Sequence, residues 1–232
     1  MIKTGEIACL GYIFSCWAML GLSLSSCGID TISYLTEDPV SISSDGTSSF
    51  IFYVKESGSV SYLGADLFYR IYASSIDADS DKNYVIAKQS EVNAVPGTLI
   101  ESNLISSSGM QYKSPVVNDT IKIPIISVDD IVDQDSYIIL SFPGNMEPSY
   151  YINPDSSTLF FLKRNVIDPS GGYKSFIDDP PEVDDQDYKS RVGDTDNEYY
   201  VQFFAAAYGL NISNFEDLYG DAVYLGRIVL NF

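Results

Sequence analysis

Apolar residues are distributed along this chain in two distinct ways. From Ile7 to Leu24 (IACLGYIFSCWAMLGLSL) they form one stretch with no charge. Beyond Cys27 they come in short aromatic and β-branched runs separated by Gly, Asp, Ser and Pro, the pattern of strands and turns. The runs are Ser49–Lys55, Ala65–Ala73, Asp119–Ser127, Ser136–Phe142, Thr158–Asn165, Tyr199–Gly209 and Ala222–Asn231, with a short edge strand expected near Val40–Ile42. Alternation at period two puts Leu67, Tyr69 and Ile71 on one face of their strand, and Val201, Phe203 and Ala205 on one face of theirs. It also groups Ile121, Ile123 and Ile125 opposite Lys122, in a strand that Pro124 confines to an edge. Gly226 interrupts the last run and predicts a bulge. Only Asn83–Val92 and Ile212–Tyr219 read as short helices. Asp77–Asn83 reads as a tight acidic turn, and Asp168–Asp187, broken by Pro180 and Pro181, as a long acidic loop. The fold expected is all-β.

The apolar opening has a specific ending. Lys3 supplies one positive charge ahead of it, and Leu24-Ser25-Ser26-Cys27 follows it. A charged start, an apolar core and small residues before a cleavage point mark a secretory signal. An aliphatic residue, two small residues and Cys fit the lipobox, in which the Cys27 thiol receives the lipid. The alternative is an uncleaved membrane anchor. The switch to polar sequence at Cys27, with no basic cluster after it, favours lipidation. Residues 1–26 are then the signal, 27–40 a lipidated tether, and 41–232 the folded domain. The two or three acyl chains of a lipoprotein cysteine hold firmly to a membrane. Gly28 in place of Asp argues against inner-membrane retention, so an outer-membrane envelope location is expected, on either face.

Composition narrows the chemistry. The three cysteines are Cys9, Cys16 and Cys27, so the processed domain would carry no disulfide and no free thiol. With 32 acidic against 13 basic residues the net charge is −19, which repels phosphate backbones and makes nucleic-acid binding an unfavourable role. There is no histidine. Ser-His-Asp and Cys-His catalysis, the usual zinc sites and haem ligation are thereby excluded. No phosphate-binding glycine loop appears. No enzymatic activity is expected.

Two motifs carry a resemblance. Leu67-Phe-Tyr-Arg-Ile-Tyr72 resembles strand C of a fibronectin type III domain, and Tyr199-Tyr-Val-Gln-Phe-Phe-Ala-Ala-Ala-Tyr-Gly209 resembles its strand F, with strand G at Asp221–Leu225. Together with the lipobox they resemble the uncharacterised lipoproteins of spirochaetes such as treponemes. The resemblance implies an immunoglobulin/fibronectin type III-like β-sandwich outside the cytoplasm. It departs from that module in two places. Strand B offers Phe50 or Phe52 where a tryptophan is usual, and the stretch 74–198 is far too long. That stretch is expected to be an insertion bearing extra strands, or a second small β-subdomain.

Two candidate surfaces remain. Asp77, Asp79, Asp81 and Asn83 place oxygen ligands at alternate positions, which in an extended turn could wrap one calcium ion. The plainer reading is a solvated hairpin tip, and Asp178–Asp187 likewise reads as a mobile surface loop. Tyr is abundant at 18 residues; Tyr150 and Tyr151, beside Pro148 and Pro154, are expected to be exposed in a loop, whereas Tyr199 and Tyr200 belong to strand packing. The function expected is a lipid-anchored, non-catalytic binding or adhesion module for a protein or carbohydrate ligand. A structural role docking onto another envelope protein is the alternative, and an enzyme stands third.

Overall fold

The computed structural model describes residues 40–44, 49–54, 61–91, 97–131, 136–144, 146–153, 158–191 and 198–232. Cys27, the apolar opening and the tether lie outside the described residues. No helix among the described residues is long and apolar enough to cross a membrane.

The fold is an all-β sandwich. One sheet runs in the order β1 (Val40–Ser44), β2 (Ser49–Tyr53), β6 (Tyr137–Ser141), β7 (Ser149–Asn153), β8 (Phe160–Lys163) and β4 (Val116–Val117), all antiparallel. The other is built on two long central strands, β3 (Tyr62–Tyr72) and β10 (Glu198–Asn211), which pair antiparallel along most of their length. On the far side of β10 lie β12 (Val223–Asn231) and, at its end, β11 (Glu216–Tyr219). Beyond β3 lie β5 (Ile126–Ser127), antiparallel, and β9 (Tyr188–Lys189), parallel. Strands β3, β10 and β12 are successive neighbours in this sheet. The stretch 74–198 contributes β4 to β9 to these same two sheets.

The sheets meet through the side chains that period two singles out. Leu67, Tyr69 and Ile71 of β3 and Val201, Phe203 and Ala205 of β10 pack against Phe50, Phe52, Ile138 and Leu140 of the opposite sheet. Phe203 sits at the centre, its ring beside those of Phe50, Tyr69, Phe142 and Phe176. Burying one such side chain contributes roughly 1.5–3 kcal/mol. The predicted bulge is present: Phe203 faces Gly226 while Phe204 faces Tyr224, leaving Leu225 unopposed. Gly226 has φ +154°, and a Cβ there would collide with the Phe50 ring.

The second face of β3 and β10 is also buried, because a helical layer covers it. Phe68, Tyr72, Phe204, Ala206 and Tyr208 pack against Ala78 and Val85 of helix α1 (Ser75–Gln89), and against Ile100, Leu104 and Tyr112 from a π-helical turn and the segment after it. Helix α1 corrects the expected turn at 77–83 and begins eight residues before the expected helix at Asn83. Ser74 caps it, its Oγ accepting from the Ile76 amide at 3.2 Å, and Asp77 sits in the first turn, where the helix dipole favours an anion. Only Ala78 and Val85 are buried, so the helix has no apolar stripe to read.

Other expectations also change. In 119–127 only Ile126 and Ser127 form a strand, while Ile121 and Ile123 are both 54 % exposed and Ile125 is buried. Asn118 and Asp119, both at positive φ, turn the chain between Val117 and Thr120, which exchange two backbone hydrogen bonds, and the strand cannot start there. Ile212–Tyr219 is the tip and return strand of a hairpin, not a helix; Asn211 and Asn214 accept from the amides of Ser213 and Glu216. Tyr150 lies in β7 and is buried, its hydroxyl donating to the Ile125 carbonyl at 2.8 Å and its ring stacked on Phe160; Tyr151 is half-buried. Neither is an exposed loop residue. Tyr199, by contrast, packs between Tyr188 and Phe232, as a strand residue should.

Candidate functional site

The most highly organised polar region lies in the acidic loop. After β8 the chain folds on itself: the Arg164 amide donates to the Lys174 carbonyl and the Lys174 amide to the Val166 carbonyl, both at 2.9 Å. Asp168 closes the turn, its side chain accepting from the Ser170 amide. This brings Arg164 and Lys174 together and points both at the residues that follow. Arg164 is fully buried and grips Asp187 with two nitrogens, Nε at 3.0 Å and Nη2 at 2.7 Å. The same Nη2 donates to Asp185 at 2.5 Å, and Nη1 to the Asp179 carbonyl at 3.0 Å. Lys174 bridges Asp185 at 2.7 Å and Glu182 at 2.6 Å. Tyr69, from the inner face of β3, donates to Asp187 at 2.7 Å and accepts from the Asn165 amide at 2.6 Å. Charges thus alternate in sign from Asp187 through Arg164, Asp185 and Lys174 to Glu182.

The electrostatics follow from that alternation. Burial works against the Asp185 carboxylate, but the Glu182 amide, Lys174 and Arg164 outweigh it and hold its pKa below the ordinary value. Burial likewise opposes the charge on Lys174, and Asp185 and Glu182 override it and raise its pKa. The expected mobile surface loop at Asp178–Asp187 is therefore corrected. Asp179, Asp185 and Asp187 tie it to Arg164, and β9 then stitches its end to β3.

Above this cluster opens a cleft of about 470 Å³. Its lining is mostly polar, with Lys174, Glu182, Asp185, Asn165, Lys113 and Gln186, and its apolar members include Ile167 and Pro169. Ile167 is 70 % exposed. The Lys113 ammonium donates to the Gln186 side chain at 3.1 Å. Glu182, Asp184 and Asp185 bring carboxylate oxygens within 4.8 Å of one another. Lys174 already stands against two of the three, so this trio carries its own cation. A concave site with convergent polar groups is a candidate ligand site.

The calcium candidates fare differently. On a helix, alternate positions lie about 200° apart, so Asp77 and Asp81 face one way and Asp79 and Asn83 the other. Asp81 is held by Lys189 at 3.0 Å and lies 2.9 Å from the Tyr72 hydroxyl; Asp79 pairs with Lys82 at 2.9 Å and Arg227 at 3.3 Å. The four oxygens do not converge, and two of them have protein cations. What the sequence does signal is a charge at the end of an apolar run: Arg164 follows directly on β8 and its Phe160, Phe161 and Leu162. The residues that meet it, Asp185 and Asp187, look like any other carboxylates of an acidic loop.

Comparison with protein-family models, curated proteins and solved structures finds no match to this chain.

Proposed function

We propose that this chain is a lipid-anchored, non-catalytic binding protein of the cell envelope, with an immunoglobulin/fibronectin type III-like sandwich that presents the cleft above the Arg164 cluster to a protein or carbohydrate ligand. The observation that carries the binding role is the cleft itself, a concave site whose lining includes the buried Lys174–Asp185 ion pair and the exposed apolar side chain of Ile167. The sequence Leu24-Ser25-Ser26-Cys27 supports the anchor. The sequence has no histidine, which removes the commonest general base. Metabolic palmitate labelling of cells tests the anchor: wild type takes up label and Cys27→Ala does not. A defined panel of peptides and glycans, screened for thermal shifts with the full chain, tests the cleft. A ligand is expected whose shift disappears in the variant Ile167→Asp, which alters one exposed lining side chain only. A ligand that binds wild type and Ile167→Asp equally places recognition elsewhere.

A second reading, docking onto another envelope protein, has its own observation. Ile121, Ile123, Leu159 and Phe161 are all 44–54 % exposed near the β4–β8 edge. Charged substitutions there would leave cleft ligands unaffected and abolish docking.

A further inference from the structure

Arg70 lies near the C-terminal end of β3, on the face turned towards helix α1, and is only 7 % exposed. In a chain with 32 acidic residues it has no carboxylate partner among the described residues. Its guanidinium lies 5.9 Å from the centre of the Tyr72 ring, which also carries the Lys189 ammonium at 5.7 Å. The Arg70 Nε is buried with no hydrogen-bond partner. Gln202 of β10 stands directly opposite Arg70 in the strand register and is completely buried. Tyr112 donates to Gln202 Oε1 at 2.8 Å, which leaves Nε2 of the same amide without an acceptor. On the far flank, Arg227 of β12 stands opposite Gln202. One row across three strands therefore reads Arg70, Gln202, Arg227, and two residues paired in it each carry a buried donor with no acceptor among the described residues.

Buried donors without acceptors are uncommon, and an unpaired buried charge is costly. Directly opposed strand residues have Cβ atoms about 4.5–5.5 Å apart, so both donors can serve one small group. A guanidinium nitrogen beside an amide nitrogen matches the two oxygens of a carboxylate. We propose that Arg70 and Gln202 form a binding site for a small organic carboxylate, separate from the cleft above Arg164. The carboxylate oxygens accept from Arg70 Nε and Gln202 Nε2.

The probe is sodium acetate, compared with sodium chloride at equal ionic strength, on the full 232-residue chain. With a dissociation constant on the order of 10 mM, about 200 mM acetate should raise the melting temperature about 3–6 °C above the chloride control. Gln202→Glu keeps the acceptor for Tyr112 and sets a permanent carboxylate against Arg70, so the acetate-specific rise should vanish. Arg70→Met should lose it as well, and Arg70→Lys, which keeps charge but not Nε, should retain only a fraction. In the wild type, the ¹⁵Nε resonance of Arg70 should move on acetate titration, a measurement that needs no variant to fold. An amide turned so that Gln202 itself accepts from Arg70 would leave acetate nothing to bind. No rise beyond chloride, an equal rise in Gln202→Glu, or an unmoved Arg70 resonance would each overturn the proposal.

Discussion

Arg164 and Arg70 are both enclosed by protein, yet Arg164 meets Asp185 and Asp187 while Arg70 meets the face of Tyr72. Proximity in sequence does not explain this, since the partners of Arg164 lie 21 and 23 residues away. The difference lies in what each arginine organises. Around Arg164 a segment with little regular structure must be held in one conformation, and alternating charges do that work with directional hydrogen bonds. Around Arg70 two long paired strands already fix the backbone, so no ion pair is needed for order. The first arginine is a structural element. The second is a buried donor held in place by its strand, with capacity left over.

Removing each guanidinium tests that contrast most severely. Arg164→Met leaves the buried Asp187 carboxylate without a cation and Asp185 with Lys174 alone, and should cost about 3–5 kcal/mol, read as a lower midpoint in urea unfolding. Arg70→Met removes an unpaired buried charge and should be neutral, or stabilising by about 1 kcal/mol. Equal losses at the two positions would end the distinction.

The two sides of β3 should also respond to pH in opposite directions. Asp66, buried on the helical side, has its pKa pushed from 3.8 up to about 7 by burial, which outweighs its hydrogen bonds from Leu67 and Ser114. Between those values the folded chain holds a proton that the unfolded chain releases. Its contribution is therefore full below pH 3.8 and lost as pH rises towards 7. Asp185, with its pKa lowered, contributes stability that is present above its unfolded value and lost as pH falls through the folded one. Asp66→Asn should gain on wild type by about 2–3 kcal/mol between pH 5 and pH 8, measured by urea midpoints. A constant difference across that range would mean that Asp66 ionises normally.

These contrasts also show which parts of the molecule the sequence could convey. Period two in Leu67, Tyr69 and Ile71 and in Val201, Phe203 and Ala205 marks the sandwich core, because each strand's inner face answers to one environment. The interruption at Gly226 marks the bulge for the same reason. Helix α1 is illegible because its packing needs only Ala78 and Val85, seven residues apart, and its acidic start resembles a turn. Tyr150 misleads because neighbouring prolines suggest a loop, while the strand that buries it is set by pairing with Leu140. The Arg164 cluster is illegible because the pairing of charges depends on how the acidic loop folds back, and no local pattern encodes that.

A gentler probe of the same contrast removes one hydroxyl from each side. Tyr69→Phe deprives Asp187 and the Asn165 amide of their shared partner and should cost about 1–3 kcal/mol. Tyr112→Phe breaks hydrogen bonds among neutral groups, to Tyr72 and Gln202, and should cost only about 0.5–1.5 kcal/mol. Chemical denaturation of the two variants under one condition ranks them, and the reverse order would mean that the charged cluster is not the tighter network.

The smallest effect belongs to the surface of helix α1, where the charges are paired but wet. Asp79 is 44 % exposed, and its links to Lys82 and Arg227 hold its pKa below the ordinary value, the Lys82 hydrogen bond most of all. Exposed pairs of this kind contribute little, since solvent screens them and long side chains lose freedom to make them. Asp79→Asn should therefore shift stability by less than about 0.5 kcal/mol at moderate salt. Calcium sharpens the test. Were Asp77, Asp79, Asp81 and Asn83 gathered around one ion, millimolar calcium would raise the melting temperature of wild type, and Asp79→Asn with Asp81→Asn would abolish that rise. On a helix the side chains diverge, and Lys189 and Arg227 already occupy the carboxylates that an ion would need. Wild type and double variant should respond to calcium identically, and a rise confined to wild type would require the segment to leave the helix.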